Sequence, residues 1–276
     1  AEARGLAPVA SAPGSGGLAP VASAPGSDWS LQITNVDRNA RMKAVILAAG
    51  QGRRLAPMGW DKPKCLLPCP GGTLLDNALQ SILGWGIREV IIVVGYQREV
   101  VERAARGCPV SSHFVVNEDY AITNTVHSLW LAREYLDGGF LYFNGDVWFE
   151  REVVALLMRH GGSTLAVDVR QCGAEEVKVK VDPCGRIIRI GKDLPPAEAV
   201  GEFIGVAKFE GSACPALVES LRHYSEDLSR RDCFFESALN DILDRHAFMA
   251  TPLGELKAVE IDTPEDYARA KSLWTS

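Results

Sequence analysis

Residues 42–68 read MKAVILAAGQGRRLAPMGWDKPKCLLP. The apolar run over residues 44–49 is followed by glycine, which is typical of a strand covered on both faces in a parallel sheet, so we predict the first core strand here. Gly50 and Gly52 allow the backbone to turn sharply and to approach a ligand at the carboxyl end of that strand. Arg53 and Arg54 add two cations at the same end. Together these residues predict a phosphate-binding loop.

The same stretch places a lysine on a stiff segment. Pro63 fixes its own φ and biases Lys62 towards an extended backbone, so Lys64 is held in a restricted conformation. Two common nucleotide-binding motifs are excluded, because the third glycine of Gly-x-Gly-x-x-Gly would fall at Leu55 and no Walker A pattern is present. An ordinary tight exit from a strand can also use a Gly-x-Gly pair, and the residues alone leave that alternative open.

Strand and helix patterns alternate in the part of the chain that follows. Thr73 is expected to cap a helix whose apolar residues recur at spacings of three and four. We then predict a strand at 89–94, a helix at 97–105, a strand at 113–116, a helix at 126–135 and a strand at 140–143. This alternation is typical of an α/β, Rossmann-like fold with a mostly parallel sheet flanked by helices.

The C-terminal half is richer in strand patterns. We predict strands at 165–169, 177–181, 187–190 and 203–209, with Asp182-Pro183-Cys184-Gly185 as the turn of a hairpin, and therefore a small β-rich insertion. Lys178 and Lys180 alternate with valines, so at least one is expected to face solvent. Helices are predicted at about 213–223 and 234–244, before a closing strand at 257–261 and a helix at 263–274.

Two aspartates follow predicted strands and are candidate metal ligands. Asp146 comes after the strand at 140–143, and Asp262 comes after the closing strand. Strand ends of one open sheet face a common crevice, and Mg²⁺ takes one or two carboxylates together with substrate phosphates. Each aspartate could instead cap the helix expected just after it, near Glu150 or at Thr263-Pro264.

The motif over residues 47–55, combined with Pro63-Lys64, resembles the signature of the sugar-nucleotide and phosphocholine nucleotidyltransferases, and the resemblance covers residues 42–274. Arg53 stands where that family usually carries Thr or Ser. The resemblance implies catalytic roles for Arg54 and Lys64 and an Mg²⁺ cofactor held by Asp146, with Asp262 as its second ligand. It also implies nucleotide contacts from Leu47, Ala48, Ala49, Gly50, Gly52 and Arg53.

Residues 117–130 look like the segment that separates phosphocholine and related cytidylyltransferases from hexose-1-phosphate enzymes, although that pattern has a second Asn where Thr125 stands. This implies nucleotide contacts from Asn117, Thr123, Asn124 and Ser128. The implied reaction transfers CMP from CTP to phosphocholine, 2-aminoethylphosphonate or 2-hydroxyethylphosphonate and releases pyrophosphate. The expected acceptor-binding residues are Lys64, Trp148, Lys192 and Glu202.

Other functions on the same fold stay open from the sequence. The nucleoside could be uridine, or one with another nucleobase, instead of cytidine, and the acceptor could be a sugar phosphate or an inositol phosphate. A catalytically silent nucleotide-sensing subunit is a further alternative, because fold does not determine function. Such a subunit would be expected to lose catalytic residues, whereas Arg54, Lys64, Asp146 and Asp262 are all present.

The composition predicts where the domain begins and which partners it has. An Ala/Pro/Gly/Ser-rich repeat occurs at 5–15 and again at 17–27, so we interpret residues 1–41 as a tail or linker and 42–276 as the nucleotidyltransferase domain. The net charge of −6 argues against nucleic acid, and seven cysteines without a C-x-x-C pair suit a reducing cytoplasm. No signal peptide or membrane span is expected, and a homodimer is left open.

Overall fold

The computed structural model describes residues 42–275, so the predicted repeat tail lies outside the described residues. Its strands are β1 (Lys43–Ala48), β2 (Pro68–Cys69), β3 (Gly72–Thr73), β4 (Glu89–Val94), β5 (Ser111–Val116), β6 (Phe140–Asn144), β7 (Val147–Phe149), β8 (Ser163–Asp168), β9 (Lys178–Val181), β10 (Ile187–Gly191), β11 (Gly201–Phe209), β12 (Phe248–Pro252) and β13 (Ala258–Glu260). Its α-helices are α1 (Leu74–Gly84), α2 (Arg98–Ala105), α3 (Thr125–Leu131), α4 (Glu152–Arg159), α5 (Cys214–Glu226), α6 (Phe235–Asn240) and α7 (Pro264–Trp274). Short 3₁₀ turns include Arg53–Met58 and Lys64–Leu66.

Nine of these strands form one mixed sheet whose main path runs β10-β9-β11-β6-β1-β4-β5. The strands β6, β1, β4 and β5 pair in parallel, as the alternating pattern predicts. The strand β11 runs in the opposite direction to β6 and pairs antiparallel with β6, β8 and β9. The predicted α/β, Rossmann-like fold is confirmed.

The first strand is buried on both faces, as its apolar run predicts. Val45 and Leu47 belong to the core cluster on one face of the sheet, whereas Ala44 and Ile46 belong to the cluster on the other face. Helix α1 begins where predicted, because the Thr73 hydroxyl accepts from the backbone N–H of Asp76 in a capping box. Local sequence chemistry therefore specifies the start of the domain.

The predicted hairpin is confirmed as β9 and β10, which pair antiparallel. It is continuous with the main sheet through β11 instead of forming a separate layer. Lys180 is the solvent-facing lysine of the pair and contacts Glu198. Lys178 is buried, and its ammonium donates to the backbone carbonyls of Gly173, Ala174 and Glu176, which organises the loop before β9.

The C-terminal part differs from the prediction in two respects. The strand β12 was not predicted, because its sequence carries no clear alternation and ends in proline; it exists through parallel pairing with β8. The closing strand β13 is present but does not belong to the main sheet, so the expectation of a single sheet was wrong. It pairs antiparallel with β7 in a separate two-stranded sheet.

Two predicted helices are also shorter than expected. Helix α3 ends at Leu131 and is followed by a 3₁₀ turn at Arg133–Tyr135, and helix α6 ends at Asn240.

Within residues 42–275, no helix is both long enough and apolar enough to cross a bilayer. All seven cysteines lie in this part and all are free.

Candidate active site

The site begins at the loop after β1. Gly52 has a φ of 65°, a left-handed conformation that favours glycine, and a Cβ at this position would lie 3.3 Å from Cβ of Lys64. The glycine therefore permits both the turn and the close approach of the segment that carries Lys64. The pattern predicted this turn, but only the structure shows that Lys64 packs directly against it.

Asp146 is positioned by the turn between β6 and β7. The backbone N–H of Gly145 donates to the carbonyl of Leu47 at 2.9 Å, and a Cβ on Gly145 would lie 2.6 Å from that oxygen. Only glycine fits so close to β1 without displacing the backbone. The turn thus brings Asp146 next to the carboxyl end of β1.

Asp262 and Glu260 reach the same place from the small sheet. The backbone N–H of Ile261 donates to the carbonyl of Asp146 at 3.0 Å, which joins the end of β13 to the β6–β7 turn. Side chains two residues apart in extended backbone share a face, so Glu260 and Asp262 point the same way. One carboxylate oxygen from each of Asp146, Glu260 and Asp262 lies within 4.8 Å of the others.

The alternative interpretation of both aspartates as helix caps does not hold. Helix α4 has Arg151 at its N-cap position, with no side-chain cap. Helix α7 is capped by Thr263 in a capping box with Asp266. Asp146 and Asp262 are therefore free for another role.

Two cations contact the acidic cluster. The Lys64 ammonium contacts Oδ2 of Asp146 at 2.7 Å and also Oδ1 of Asp262, and the Arg54 guanidinium contacts Oδ2 of Asp262 at 2.5 Å. Burial alone would lower the pKa of Lys64, but the charges of Asp146 and Asp262 outweigh burial and raise it above its ordinary value. Lys64 therefore stays charged.

Different neighbours dominate the pKa values of the two carboxyl groups Glu260 and Asp262. Burial, and then the charges of Asp146 and Asp262, raise the pKa of Glu260 well above its ordinary value. Burial would also raise the pKa of Asp262, but Lys64 and Arg54 hold it below its ordinary value. Burial and the charged neighbours thus shift the pKa values of these two carboxyl groups in opposite directions.

The donor set of this cluster fits a hard divalent cation. All three groups offer carboxylate oxygens, which are the ligands that Mg²⁺ prefers in proteins. Oδ1 of Asp146 is buried and has no hydrogen-bond partner among residues 42–275, which is unusual for a carboxylate oxygen unless an ion or water satisfies it. Sequence reasoning missed Glu260, although its alternation with Asp262 at the end of an apolar strand was an available signal.

A cavity of about 280 Å³ lies next to the cluster. Its polar wall is built around Asn117, which is buried and whose Nδ2 donates to Oγ1 of Thr123 at 3.0 Å and to Oγ of Ser128 at 3.1 Å. Seven predicted nucleotide-binding residues line it: Leu47, Ala49, Gly50, Asn117, Thr123, Asn124 and Ser128. Ala48 lines a small neighbouring pocket with Lys64, and exposed Arg53 hydrogen-bonds to Gln51.

A second cavity, of about 410 Å³, adjoins the first, and Val177, Lys192, Phe234 and Glu236 line both. Glu236 is buried, and its Oε2 has no hydrogen-bond partner. Burial raises the pKa of Glu236 to about 7, even though its own backbone amide and Lys192 act to lower it. Sequence reasoning missed Glu236, because nothing in the sequence separates it from an ordinary helical glutamate.

The predicted acceptor residues are only partly brought together. Lys192 lines both cavities, with its ammonium 4.9 Å from the centre of the Phe234 ring. Trp148 instead packs in a core cluster against Trp274, with 7% of its surface exposed. Glu202 is buried against Arg170 in a different cavity. Neither Trp148 nor Glu202 lines either of the two cavities beside the acidic cluster.

The chain is similar in sequence to known nucleotidyltransferases. The model of the MobA-like NTP transferase domain matches residues 44–231. A CMP-5′-(3-aminopropyl)phosphonate synthase from Streptomyces rubellomurinus is 30% identical over 248 residues, which are 83% of this chain but only 38% of that protein. A CTP:phosphoglutamine cytidylyltransferase from Campylobacter jejuni is 25% identical over 241 residues, which are 80% of this chain and 93% of that protein.

Solved structures share the fold. The CTP:phosphocholine cytidylyltransferase of Streptococcus pneumoniae superimposes with a TM-score of 0.72 at 22% identity, over 84% of this chain and 99% of that one. The inositol-1-phosphate CTP transferase of T. maritima also has a TM-score of 0.72 at 22% identity, over 86% and 96% of the two chains. At this level of identity the likeness concerns the fold alone.

Proposed function

Because the chain belongs to the MobA-like NTP transferase domain family, we propose that it is a cytidylyltransferase that transfers CMP from CTP to a small phosphate or phosphonate acceptor and releases pyrophosphate. The observation that carries this proposal is the juxtaposition of the acidic cluster with Lys64 and Arg54, beside a cavity with a polar amide wall. A nucleoside triphosphate needs this combination of cation, metal and neutral hydrogen-bonding groups.

In the proposed reaction, an acceptor oxygen attacks the α-phosphorus of CTP, the bond from that phosphorus to the bridging oxygen of the β-phosphate breaks, and pyrophosphate leaves. No general base is needed, because a phosphate or phosphonate is already ionised near neutral pH. Arg54 and Lys64 bind and orient the phosphates. Mg²⁺ held by Asp146, Glu260 and Asp262 would supply further neutralisation of the triphosphate charge when bound.

We propose that the second cavity receives the acceptor. Lys192 stands at the boundary of the two cavities, where it can bind the phosphonate, and Glu236 presents an unpartnered carboxylate oxygen that can accept from a protonated amine. Phe234 adds an aromatic face at the same wall. This pairing favours an acceptor with a cation a few atoms from phosphorus, such as 2-aminoethylphosphonate, whose ammonium can donate to Glu236. The quaternary ammonium of phosphocholine has no N–H and would rely on the charge of Glu236 and the ring of Phe234.

The testing experiment is a turnover screen that measures pyrophosphate release. CTP and UTP are each offered with 2-aminoethylphosphonate, phosphocholine, 2-hydroxyethylphosphonate, inositol 1-phosphate and glucose 1-phosphate. We expect CTP with an amine-bearing acceptor to be turned over best. Preference for glucose 1-phosphate or inositol 1-phosphate would contradict the acceptor class, and nucleotide binding without any release would identify a silent subunit.

Glu236→Gln should weaken binding of the amine acceptor 2-aminoethylphosphonate, seen as a rise in its KM by roughly 10- to 100-fold, because a hydrogen bond to a charged group contributes about 1.5–3 kcal/mol. The hydroxyl analogue 2-hydroxyethylphosphonate has no charge on its terminal group, so its KM should change little. Since the pKa of Glu236 is about 7, wild-type KM for the amine should fall as the pH rises through that value, and the variant should lose this dependence.

The matched control is Glu255→Gln, which neutralises an exposed carboxylate and should behave as wild type.

Thermal stability provides a second check of the direction in which the pKa of Glu236 is shifted. A carboxyl whose folded-state pKa is raised destabilises the folded protein as the pH rises from its unfolded value to its folded value. Glu236→Gln should therefore raise Tm more at pH 8 than at pH 5, and an equal shift at both would show that Glu236 does not titrate as expected.

A further inference from the structure

Thr125 connects the wall of the first cavity to the wall of the second. Its hydroxyl oxygen, at the start of α3, accepts a hydrogen bond from the backbone N–H of Phe235 at 2.8 Å. Two backbone hydrogen bonds flank it: Asn124 N–H donates to Arg231 at 2.9 Å, and Val126 N–H donates to Cys233 at 3.3 Å. The segment 231–235 therefore lies along the start of α3.

The hydrogen bond to the Thr125 side chain lies at the N-terminus of helix α6, which has no side-chain cap of its own. Phe234 occupies the N-cap position of α6 and offers no side-chain hydrogen bond. The first backbone N–H groups of a helix have no partner within it, and a side-chain oxygen normally satisfies one of them. Thr125 supplies that oxygen from another helix, 110 residues away in the chain.

Residues at both ends of this connection line the cavities of the site. Asn124, next to Thr125, lines the first cavity, and its side chain accepts from the Thr125 N–H at 2.8 Å. Phe234 and Glu236 flank Phe235 and line the second cavity. The Phe235 ring itself is fully buried against Tyr142, with ring centres 4.3 Å apart, so the segment has little freedom except at its polar end.

We propose that Thr125 is a positioning residue that sets Glu236 and Phe234 at the distance from the nucleotide wall that the acceptor requires. The inference rests on the proposed function, because it assumes that the second cavity binds the acceptor. It also assigns a role to the residue at which the sequence departs from the related cytidylyltransferase pattern. The threonine side chain is short and β-branched, so its hydroxyl fits between α3 and the N–H of Phe235 with a defined rotamer.

Thr125→Val removes the accepting oxygen and keeps the side-chain shape, whereas Thr125→Ser keeps the oxygen. We expect the valine variant to raise KM for the amine acceptor about tenfold, since a buried N–H then lacks its partner, and the serine variant to stay within about threefold of wild type. In the valine variant, KM for 2-hydroxyethylphosphonate should change much less than KM for the amine, because its terminal hydroxyl carries no charge for Glu236 to bind.

A double-mutant cycle separates positioning from general destabilisation. If Thr125 acts through Glu236, the effect of Thr125→Val on KM for the amine should largely disappear in a Glu236→Gln background. An equal effect in both backgrounds, an unchanged KM for the amine, or an equal rise in KM for 2-hydroxyethylphosphonate would each overturn the inference. Thr125→Ala removes the same oxygen without bulk, and it replaces the valine variant if circular dichroism shows that the latter does not fold.

These experiments distinguish a failure of the proposed function from a failure of the role of Thr125. Wild-type protein that releases no pyrophosphate with any acceptor contradicts the proposed function itself and, with it, this inference. Wild-type protein that turns over amine acceptors, combined with a normal Thr125→Val variant, contradicts only the role of Thr125.

Discussion

Asp146→Asn should lower kcat by about 10³-fold or more, because Asp146 is proposed to hold Mg²⁺ and the loss of a metal-binding carboxylate removes several kcal/mol of charge stabilisation from the transition state. The substitution keeps the size of the side chain, and Asp146 caps no helix, so the fold should survive. Oδ1 of Asp146 is a buried carboxylate oxygen without a hydrogen-bond partner among the described residues, and Asp146 lies beside Glu260 and Asp262. The measurement is kcat at several Mg²⁺ concentrations, together with Mn²⁺ binding to the CTP complex by calorimetry.

The matched control is Asp137→Asn, which makes the same substitution at an exposed aspartate that contacts Lys43 away from the cluster. Its turnover and Mn²⁺ binding should equal those of wild type. Normal turnover of the Asp146 variant at limiting Mg²⁺ would show that the three carboxylates do not hold the metal. Loss of turnover with undiminished Mn²⁺ binding would place the role of Asp146 elsewhere, in holding Lys64.

Lys64→Ala should lower kcat by about 10²-fold or more, which is the usual effect of removing one electrostatic stabiliser from a transition state. The structure adds a second expectation. Because Lys64 contacts both Asp146 and Asp262, its loss leaves these carboxylates without their buried counter-ion. Metal-free Tm should therefore fall, and Mg²⁺ should raise the Tm of the variant more than that of wild type.

Lys62→Ala is the control, since Lys62 lies on the same loop, is exposed and contacts the ring of Trp60 instead of the cluster. We expect wild-type kcat and Tm from it. If Lys64→Ala lost stability but kept kcat, Lys64 would serve only as the counter-ion of the acids. If it lost kcat with no change in the effect of Mg²⁺ on Tm, the ion pairs with Asp146 and Asp262 would contribute little in solution.

Much of the site could be predicted because it depends on local sequence. The apolar run before Gly50 specifies a strand covered on both faces, and the glycines specify the turn after it. Asp146 and Asn117 follow strands, and parallel strands place their carboxyl ends at one edge. The cytoplasmic location and the possible homodimer, which were also predicted from the sequence, stay predictions.

The remaining site residues depend on pairings between distant parts of the chain. Glu260 and Asp262 reach Asp146 because β13 pairs with β7 in a sheet of its own, whereas the sequence predicted the main sheet. Their convergence survives this difference because the N–H of Ile261 donates to the carbonyl of Asp146. Hydrophobic periodicity reports whether a strand is buried, but it carries no information about its partner.

Burial decided the rest, and burial is a property of the folded chain. Trp148 and Glu202 carry suitable chemistry for an acceptor, yet tertiary packing encloses Trp148 in the core and pairs Glu202 with Arg170. Glu236 looks like any helical glutamate in the sequence, and it becomes distinctive only because packing removes its carboxylate from water and leaves one oxygen without a partner. The sequence by itself determined most of the strands, the turns after them and the residue types at their ends. Only the tertiary structure decided which of those side chains face the cavities, because solvent exposure and charge neighbours arise from contacts between residues far apart in the chain.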